Sequence, residues 1–472
     1  MELRKSILKL FSGNVALALI EFSAIAGFTQ AIGTAAIGSF FLFQTIIGLL
    51  GIPIDLGISK TVEKQLSENE PFGEVLSTAV LLKMLLLLPW AVGLVAFSSR
   101  VAQYVGIDGI ASLVVVGLVV RQGRGLSLRV LAGEMQVEKN ALLKVVGRLV
   151  WVCVGFGLIY LGWGGLAIVV SYILGHVVTM LGALLHLNLT VSWPRLERAK
   201  ALLNFSRYIF IGNVGGFVYQ WMDVAILRLF VPVSLVGIYE IAWRVASVSM
   251  MLTEAIRTSL FPQISQWYSE DRIDEIESAF RTWLQIPLYV TIPAFAGAAV
   301  LGVDILGTLF GTETTAAYPI LLVFMLEKIL RSVQLIVGPS LYAMDKPQLG
   351  YRGSTVAIVA NLLLNITLIP QFGLIGAAVA TTVSAATAAA VSIAYVSRFV
   401  QIRVPWKRVG WSVLSAALMS SCVYLLTQVV RVGAIRVGFG VGFGVVVYFA
   451  LLFANSSIRI EIRDFVHDFR GS

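Results

Sequence analysis

Glu240, Arg244, Ser247, Met251, Glu254 and Thr258 follow one another at steps of four and three residues through an otherwise apolar stretch. At 100° per residue they fall within about ±40° of one direction on a helix, a polar stripe on an apolar rod. An ionisable group inside such a stretch is costly unless it faces a partner or a water-filled path. Arginine is the residue suited to hold a phosphate there, because its planar fork binds bidentately and keeps its charge in a low-dielectric site. Glu240, four residues before Arg244, supplies a counter-charge at rest. Asn213, Gly216, Gln220 and Asp223 form a second stripe, within an arc of about 80°. Glu327 and Arg331 repeat the acid and base spacing, with Lys328 beside them. Lys83 and Arg228 are long enough to snorkel to the interface.

The elements that must carry these stripes are membrane helices. The chain has 472 residues, 58% hydrophobic and 13% charged, whereas soluble domains carry roughly a quarter charged residues. Apolar windows of about nineteen residues place spans near 8–32, 36–57, 75–98, 104–120, 143–162, 164–186, 205–230, 234–258, 284–310, 316–343, 351–370, 373–397, 408–428 and 433–454. The reading is an all-α polytopic membrane protein of about fourteen helices. The fourth span is short, and Arg121, Arg124 and Arg129 follow it. Assigning the segments between spans alternately to two sides puts 27 Lys and Arg on the side of the termini and four, Arg100, Arg228, Arg431 and Arg436, on the other. A basic loop is held in the cytoplasm, so both termini are expected there. The outer connections at Gly33–Ala35, Gly162–Gly164 and Gln371–Phe372 are too short for an extracellular catalytic domain. The apolar stretch after Met1-Glu2-Leu3-Arg4-Lys5 holds Glu21 and no cleavage pattern follows it, so it reads as a first span rather than a signal peptide.

An ungapped shift of 199 residues lays Gly13-Asn14 on Gly212-Asn213, Phe22 on Trp221, Ala26 on Ala225, Gly38 on Gly237, Phe40 on Tyr239 and Asp55 on Glu254. A shift of 211 lays Gly162 and Gly165 on Gly373 and Gly376. The reading is two parallel six-helix halves, residues 1–200 and 201–400, with two additional helices and a tail at 401–472. Transporters place a substrate site between such repeats. The repeat adds Asn14 and Glu21 in the first span, and Thr45, Asp55 and Ser59 in the second, to the candidate residues.

Other chemistry is poorly provided for. His176, His186 and His467 form no ligand cluster, and Cys153 and Cys422 lie in apolar stretches away from His or acid at ligand spacing, so neither a metal nor a disulfide is expected. No Gly-rich loop ends in Gly-Lys-Ser or Gly-Lys-Thr, so P-loop nucleotide binding is excluded. The driving force is expected from an H⁺ or Na⁺ gradient or from the substrate itself, with no cofactor. The net charge of +9 is dispersed in short clusters between apolar segments, which fits topology and not nucleic acid.

The run from Asn361 to Thr381, with Asn365, Pro370, Gly373 and Gly376-Ala377-Ala378, resembles the turn between helices 11 and 12 of the polysaccharide flippases in the multidrug/oligosaccharidyl-lipid/polysaccharide export superfamily. Val236 to Arg244 resembles the start of their helix 8, and Leu260 to Ile264 its exit. The resemblance implies a central path lined by helices 1, 2, 7 and 8, the four that carry the polar stripes. The cavity residues it selects are Asn14, Glu21, Thr45, Asn213, Gln220, Asp223, Glu240, Arg244, Ser247 and Glu254, to which the ionisable pair of span 10 adds Glu327 and Arg331. It implies a transporter, without catalytic residues, that flips a polyprenyl phosphate- or pyrophosphate-linked oligosaccharide by alternating access, its lipid tail remaining among membrane lipids. A multidrug or cation antiporter of the same superfamily, binding through Glu21 and Asp223, is the alternative. A membrane glycosyltransferase or polymerase would need an acidic base or a sizeable outer loop, and the outer side offers little beyond Asp108, Asp304 and Glu313.

Overall fold

The computed structural model describes the backbone of residues 2–68, 70–187, 190, 192–431 and 433–460, and their side chains apart from those of residues 2–15, 137, 208, 209, 211–220 and 259. Among the described residues the regular structure is helical throughout. The helices are α1 Glu2–Asp55, α2 Ile58–Ser67, α3 Phe72–Ala96, α4 Ser98–Val105, α5 Ile110–Gly133, α6 Val137–Tyr160, α7 Gly165–Leu184 and α8 Leu196–Leu227. After them come α9 Val233–Ser247, α10 Met251–Ser269, α11 Ile273–Trp283, α12 Gln285–Phe310, α13 Tyr318–Ala343, α14 Pro347–Val396, α15 Trp406–Val429 and α16 Ala434–Ala454. A 3₁₀ turn, Val248–Met250, joins α9 to α10.

Among the described residues ten stretches are long and apolar enough to cross a membrane, so the chain is a multi-pass membrane protein. Two of the ten are broken at a glycine within one helical run: α1 at Gly33 (φ 78°, ψ 172°) and α14 at Gly373 (φ 55°, ψ −126°). Only glycine visits such angles without strain, so these two residues turn a continuous apolar run into an antiparallel pair. Gly164 takes nearly the angles of Gly373, φ 55° and ψ −135°, at the turn before α7. The span expected to end at 370 continues past Pro370. The helix runs on to the glycine, because a proline near a helix end removes a hydrogen bond without forbidding the next turn.

The chain divides into two compact units, Met1–Gly237 and Ile238–Ser472. Lipid is as apolar as leucine, so close packing of small residues holds membrane helices together more than hydrophobicity does. In the first unit α6 and α7 approach at Gly147 and Gly175, where a methyl on either would strike the other's backbone. In the second unit Gly376 lies against the Leu368 carbonyl, and Ala377, Ala378, Ala380 and Ser384 are buried beside it. Each unit also has an apolar core at its basic-loop end: Ile58, Val62, Leu126 and Leu202 in the first, Ile264, Phe280, Leu341 and Val396 in the second. In the second unit α15 and α16 pack on α12 through Ala416, Met419, Tyr448 and Leu301, and Arg436 pairs with Asp304 at 3.1 Å.

One helix is displaced from its sequence reading, with consequences for the site. The fourth span was expected at 104–120, with its helix either ending there or continuing through the basic residues into the cytoplasm. Instead α4 is a separate short helix, and α5 begins at Ile110 and ends at Gly133, so it contains Arg121, Arg124 and Arg129.

Candidate functional site

At about 1.5 Å per residue, Arg121 lies roughly 17 Å from the start of α5 at Ile110. By the same measure Arg148 lies about 18 Å from the end of α6 at Tyr160, and Glu21 about 18 Å from the break at Gly33. Three helices of the first unit therefore bring charge to one depth near the middle of a span. The geometry joins them. Arg148 Nη2 lies 2.8 Å from Glu21 Oε2, and its guanidinium sits 5.1 Å from the Trp151 ring. Arg121 sits 6.0 Å from the Trp221 ring. Arg124 feels the charges of both Arg121 and Arg148, and His176, tilted against the Tyr172 ring with centroids 4.2 Å apart, feels all three.

The balance at this depth is positive. Glu21 is the carboxylate paired with the cluster, and it is held on Arg148. Arg124 Nε is buried and has no hydrogen-bond partner among the described residues. A buried charged donor left unsatisfied costs free energy, so the arrangement is suited to receive an anion.

A buried network fixes the cluster's supporting helix. Lys83 of α3, 5% exposed, donates to Asp55 at the end of α1 (2.5 Å) and to Gln122 of α5 (2.7 Å). Gln122 Nε2 in turn donates to the Gly51 carbonyl at 3.1 Å, and Asp55 also accepts from the Ser59 hydroxyl. Lys83 thus does not snorkel: it points into the protein, where a carboxylate and an amide replace the water it leaves. Arg228 also turns inward, donating to the Tyr104 carbonyl (2.7 Å) and the Gln103 carbonyl (2.9 Å) at the end of α4.

The second unit gathers four residues of the sequence-derived set. Glu240 and Arg244 of α9 form an i, i+4 pair at 3.8 Å. Lys328 of α13, buried, pairs with Glu327 at 2.8 Å, feels Glu240 and Arg331, and lies 4.9 Å from the Trp243 ring. Glu327 is therefore bound by its immediate neighbour Lys328. Three cations and two carboxylates share this patch.

Other candidates stand apart. Thr45 is buried and its hydroxyl donates to the Phe41 carbonyl, and Ser247 does the same to Trp243, so each is satisfied by its own helix. Glu254 is exposed and pairs with Arg257 at 2.8 Å. Asp223 is half-buried on α8. The side chains of Asn14, Asn213 and Gln220 lie outside the described residues. Sequence reasoning missed Arg121, Arg124 and Arg148, which it had counted as cytoplasmic.

The polysaccharide biosynthesis protein family model matches residues 32–319. The chain belongs to that family. Among its curated relatives this family member is 36% identical over 460 residues, 97% of both chains, to the probable low-salt glycan biosynthesis flippase Agl15 of Haloferax volcanii. It is 28% identical over 468 residues, 98% of both chains, to the probable flippase AglR of the same organism. Among solved structures, the inward closed conformation of the lipid II flippase MurJ has a TM-score of 0.80 at 15% identity, over 97% of this chain and 99% of that one. An inward-facing multidrug resistance MATE family transporter has a TM-score of 0.66 at 13% identity, over 80% and 93%. At such identities these structures speak for the fold, and the fold of this polysaccharide biosynthesis protein is that of a helical membrane transporter.

Proposed function

We propose that this chain flips a lipid-linked oligosaccharide, a polyprenyl phosphate- or pyrophosphate-linked glycan, across a prokaryotic cytoplasmic membrane by alternating access. The observation that carries the reading is Arg124: a guanidinium with a buried, unpartnered nitrogen beside Arg121 and Arg148 at mid-span. A cargo phosphate supplies the missing acceptor, and Glu21 is the internal anion that it displaces from Arg148. The names of the two long-range relatives, both probable flippases, support the same activity. A receptor of this sign disfavours a cationic drug, which sets the antiporter reading second, and the chain acts as a transporter rather than an enzyme.

Both termini lie in the cytoplasm in this proposal. Arg121, Arg124 and Arg148 leave the loop count once α5 and α6 are drawn at their observed lengths, and the remaining excess of basic residues on the side of the termini still dictates orientation. Fourteen spans serve as two bodies, 1–200 and 201–400, followed by 401–472. Within the second unit, Arg244, with Glu240, Glu327 and Arg331 around Lys328, offers a second anionic contact. Asn14, Asn213, Gln220 and Asp223 serve the sugars. An H⁺ or Na⁺ gradient, or the gradient of the substrate itself, supplies the drive.

The test is deletion of the gene followed by complementation. The deletion strain accumulates lipid-linked precursor on the cytoplasmic leaflet and loses surface glycan. The wild-type gene restores both, and Arg124→Gln, expressed at equal level, does not. Normal glycan and no accumulated precursor in the deletion strain would overturn the reading.

A further inference from the structure

The second limb of α1 starts just after Gly33, at Thr34, and α9 starts at Val233. One helical turn further along, each presents a glycine, Gly38 and Gly237. A methyl built on Gly38 would run into the Val233 carbonyl oxygen, with the carbonyl carbon 2.9 Å away. A methyl built on Gly237 would run into the Thr34 carbonyl oxygen, with the Gly38 nitrogen 3.0 Å away. These are one contact made twice. Gly38 and Gly237 are 199 residues apart, and so are Thr34 and Val233, so each glycine meets the repeat mate of the residue four before it. All four residues belong to the first unit.

Such a crossing joins backbone to backbone, through van der Waals contact and weak Cα–H···O bonds. It is tight when closed, yet parting it breaks only weak contacts at the crossing itself. The other glycine crossing of the unit differs. There Trp151 Nε1 of α6 donates to the Ile168 carbonyl of α7 (3.3 Å) and Thr179 Oγ1 of α7 to the Leu143 carbonyl of α6 (3.3 Å), so side chains stitch the turns on both sides. The approach to the Gly38 crossing is also fixed. Arg228 and Tyr104 strap α8 to α4, with the Tyr104 hydroxyl donating to the Ala225 carbonyl at 3.0 Å, and Gly106 at the end of α4 faces Val233.

We infer that the Gly38–Gly237 crossing is a two-fold seal at one end of the transport path, closed by bare backbone contact and parted once in each cycle. Its assignment to the outer end rests on the orientation proposed above. Two exposed sites flank it, Ala35 and Leu229. Spin labels at Ala35→Cys and Leu229→Cys, in a background lacking Cys153 and Cys422, report its state in lipid nanodiscs without any cargo. The unmodified crossing gives a dominant short distance with a minor longer one. Gly38→Ala and Gly237→Ala each shift the population toward the longer distance, to the same degree because the contacts are equivalent. Val233→Ala, which trims a side chain and leaves the backbone approach, does not. Unchanged distances in both glycine variants would overturn the inference, as would a single invariant distance in the parent protein, which needs no glycine variant to fold. A membrane-impermeant thiol reagent applied to Ala35→Cys from either side tests orientation separately. Labelling from the cytoplasm alone would sink the outer placement and leave the seal standing. An intact seal with no flipping activity would sink the function and not the seal.

Discussion

The two units solve the problem of charge inside a membrane differently. In the second, Lys328 is enclosed between Glu327 and Trp243, and Glu240 stands beside Arg244, so cations and carboxylates are nearly matched within one patch. In the first, three arginines from two helices meet with one carboxylate from a third, so the excess of cations is larger. A matched set stabilises itself and can remain closed to ligand. An unmatched set inside a span is costly unless an anion visits. Under the proposed function the first unit has the stronger hold on phosphate, and the second a weaker one.

The most severe test of that comparison reverses the sign at Arg124. Arg124→Glu is expected to abolish flipping, and Arg124→Gln to lower precursor turnover by more than about tenfold, a loss of roughly 1.4 kcal/mol or more in the transport step. Both proteins should reach the membrane in normal amounts, since neither removes a bonded partner. Glu327→Gln should do the opposite. It leaves Lys328 buried without its carboxylate, and loss of one partner from a buried pair costs about 3–5 kcal/mol, so the variant should show a lower melting temperature and poor accumulation. Should Arg124→Gln turn over precursor normally, or Glu327→Gln be as stable as the parent, the contrast between the units would be lost.

How much of this was legible in the sequence depends on what a residue's neighbours in the chain reveal. Glu21, Glu240, Arg244, Glu327 and Arg331 announce themselves as ionisable residues in apolar runs, and the glycine at 373 announces a turn. Arg121 and Arg124 did not, because the apolar run before Arg121 is short and a basic cluster after a span reads as a cytoplasmic loop, and Arg148, near the start of the span expected at 143–162, was counted with that loop. The signal that could have found them was the continuation of Leu126, Leu128, Val130 and Leu131 beyond the arginines, which gives a helix longer than its apolar part. Lys83 was misread for another reason. Its depth is evident from the chain, but the direction it faces depends on Asp55 and Gln122, which come from other helices and leave no local mark. Thr45 and Ser247 lie on polar stripes yet bond their own backbones, a use that periodicity cannot tell from lining a path.

The Lys83 network gives a test of intermediate size, because it separates support of the arginine helix from contact with cargo. Lys83→Met removes the cation and leaves Asp55 and the Gln122 amide oxygen facing an apolar side chain, so stability should fall by about 3–5 kcal/mol. Adding Asp55→Asn removes the orphaned charge and should return most of that loss, seen as recovery of the melting temperature in detergent. Transport should recover with stability. A Lys83→Met variant as stable as the parent would mean that Lys83 reaches water after all.

The smallest effect expected is at Arg244, and it sharpens the comparison most finely. Arg244 is matched by Glu240 at 3.8 Å, so a visiting phosphate must compete with a carboxylate already present, and the net gain from this contact is less than at Arg124. Arg244→Lys keeps the charge but loses the fork that binds phosphate at two points, and Arg244→Gln loses both. Turnover of lipid-linked precursor should fall about threefold in Arg244→Gln, or roughly 0.7 kcal/mol, with Arg244→Lys between it and the parent. The decisive variant combines Arg244→Gln with Glu240→Gln. If Arg244 contacts the cargo, removing its resting partner does not restore what the phosphate has lost, and the double variant stays impaired. If Arg244 serves only to neutralise Glu240, the double variant is matched again, transports at the parental rate, and leaves the arginines of α5 and α6 as the phosphate seat.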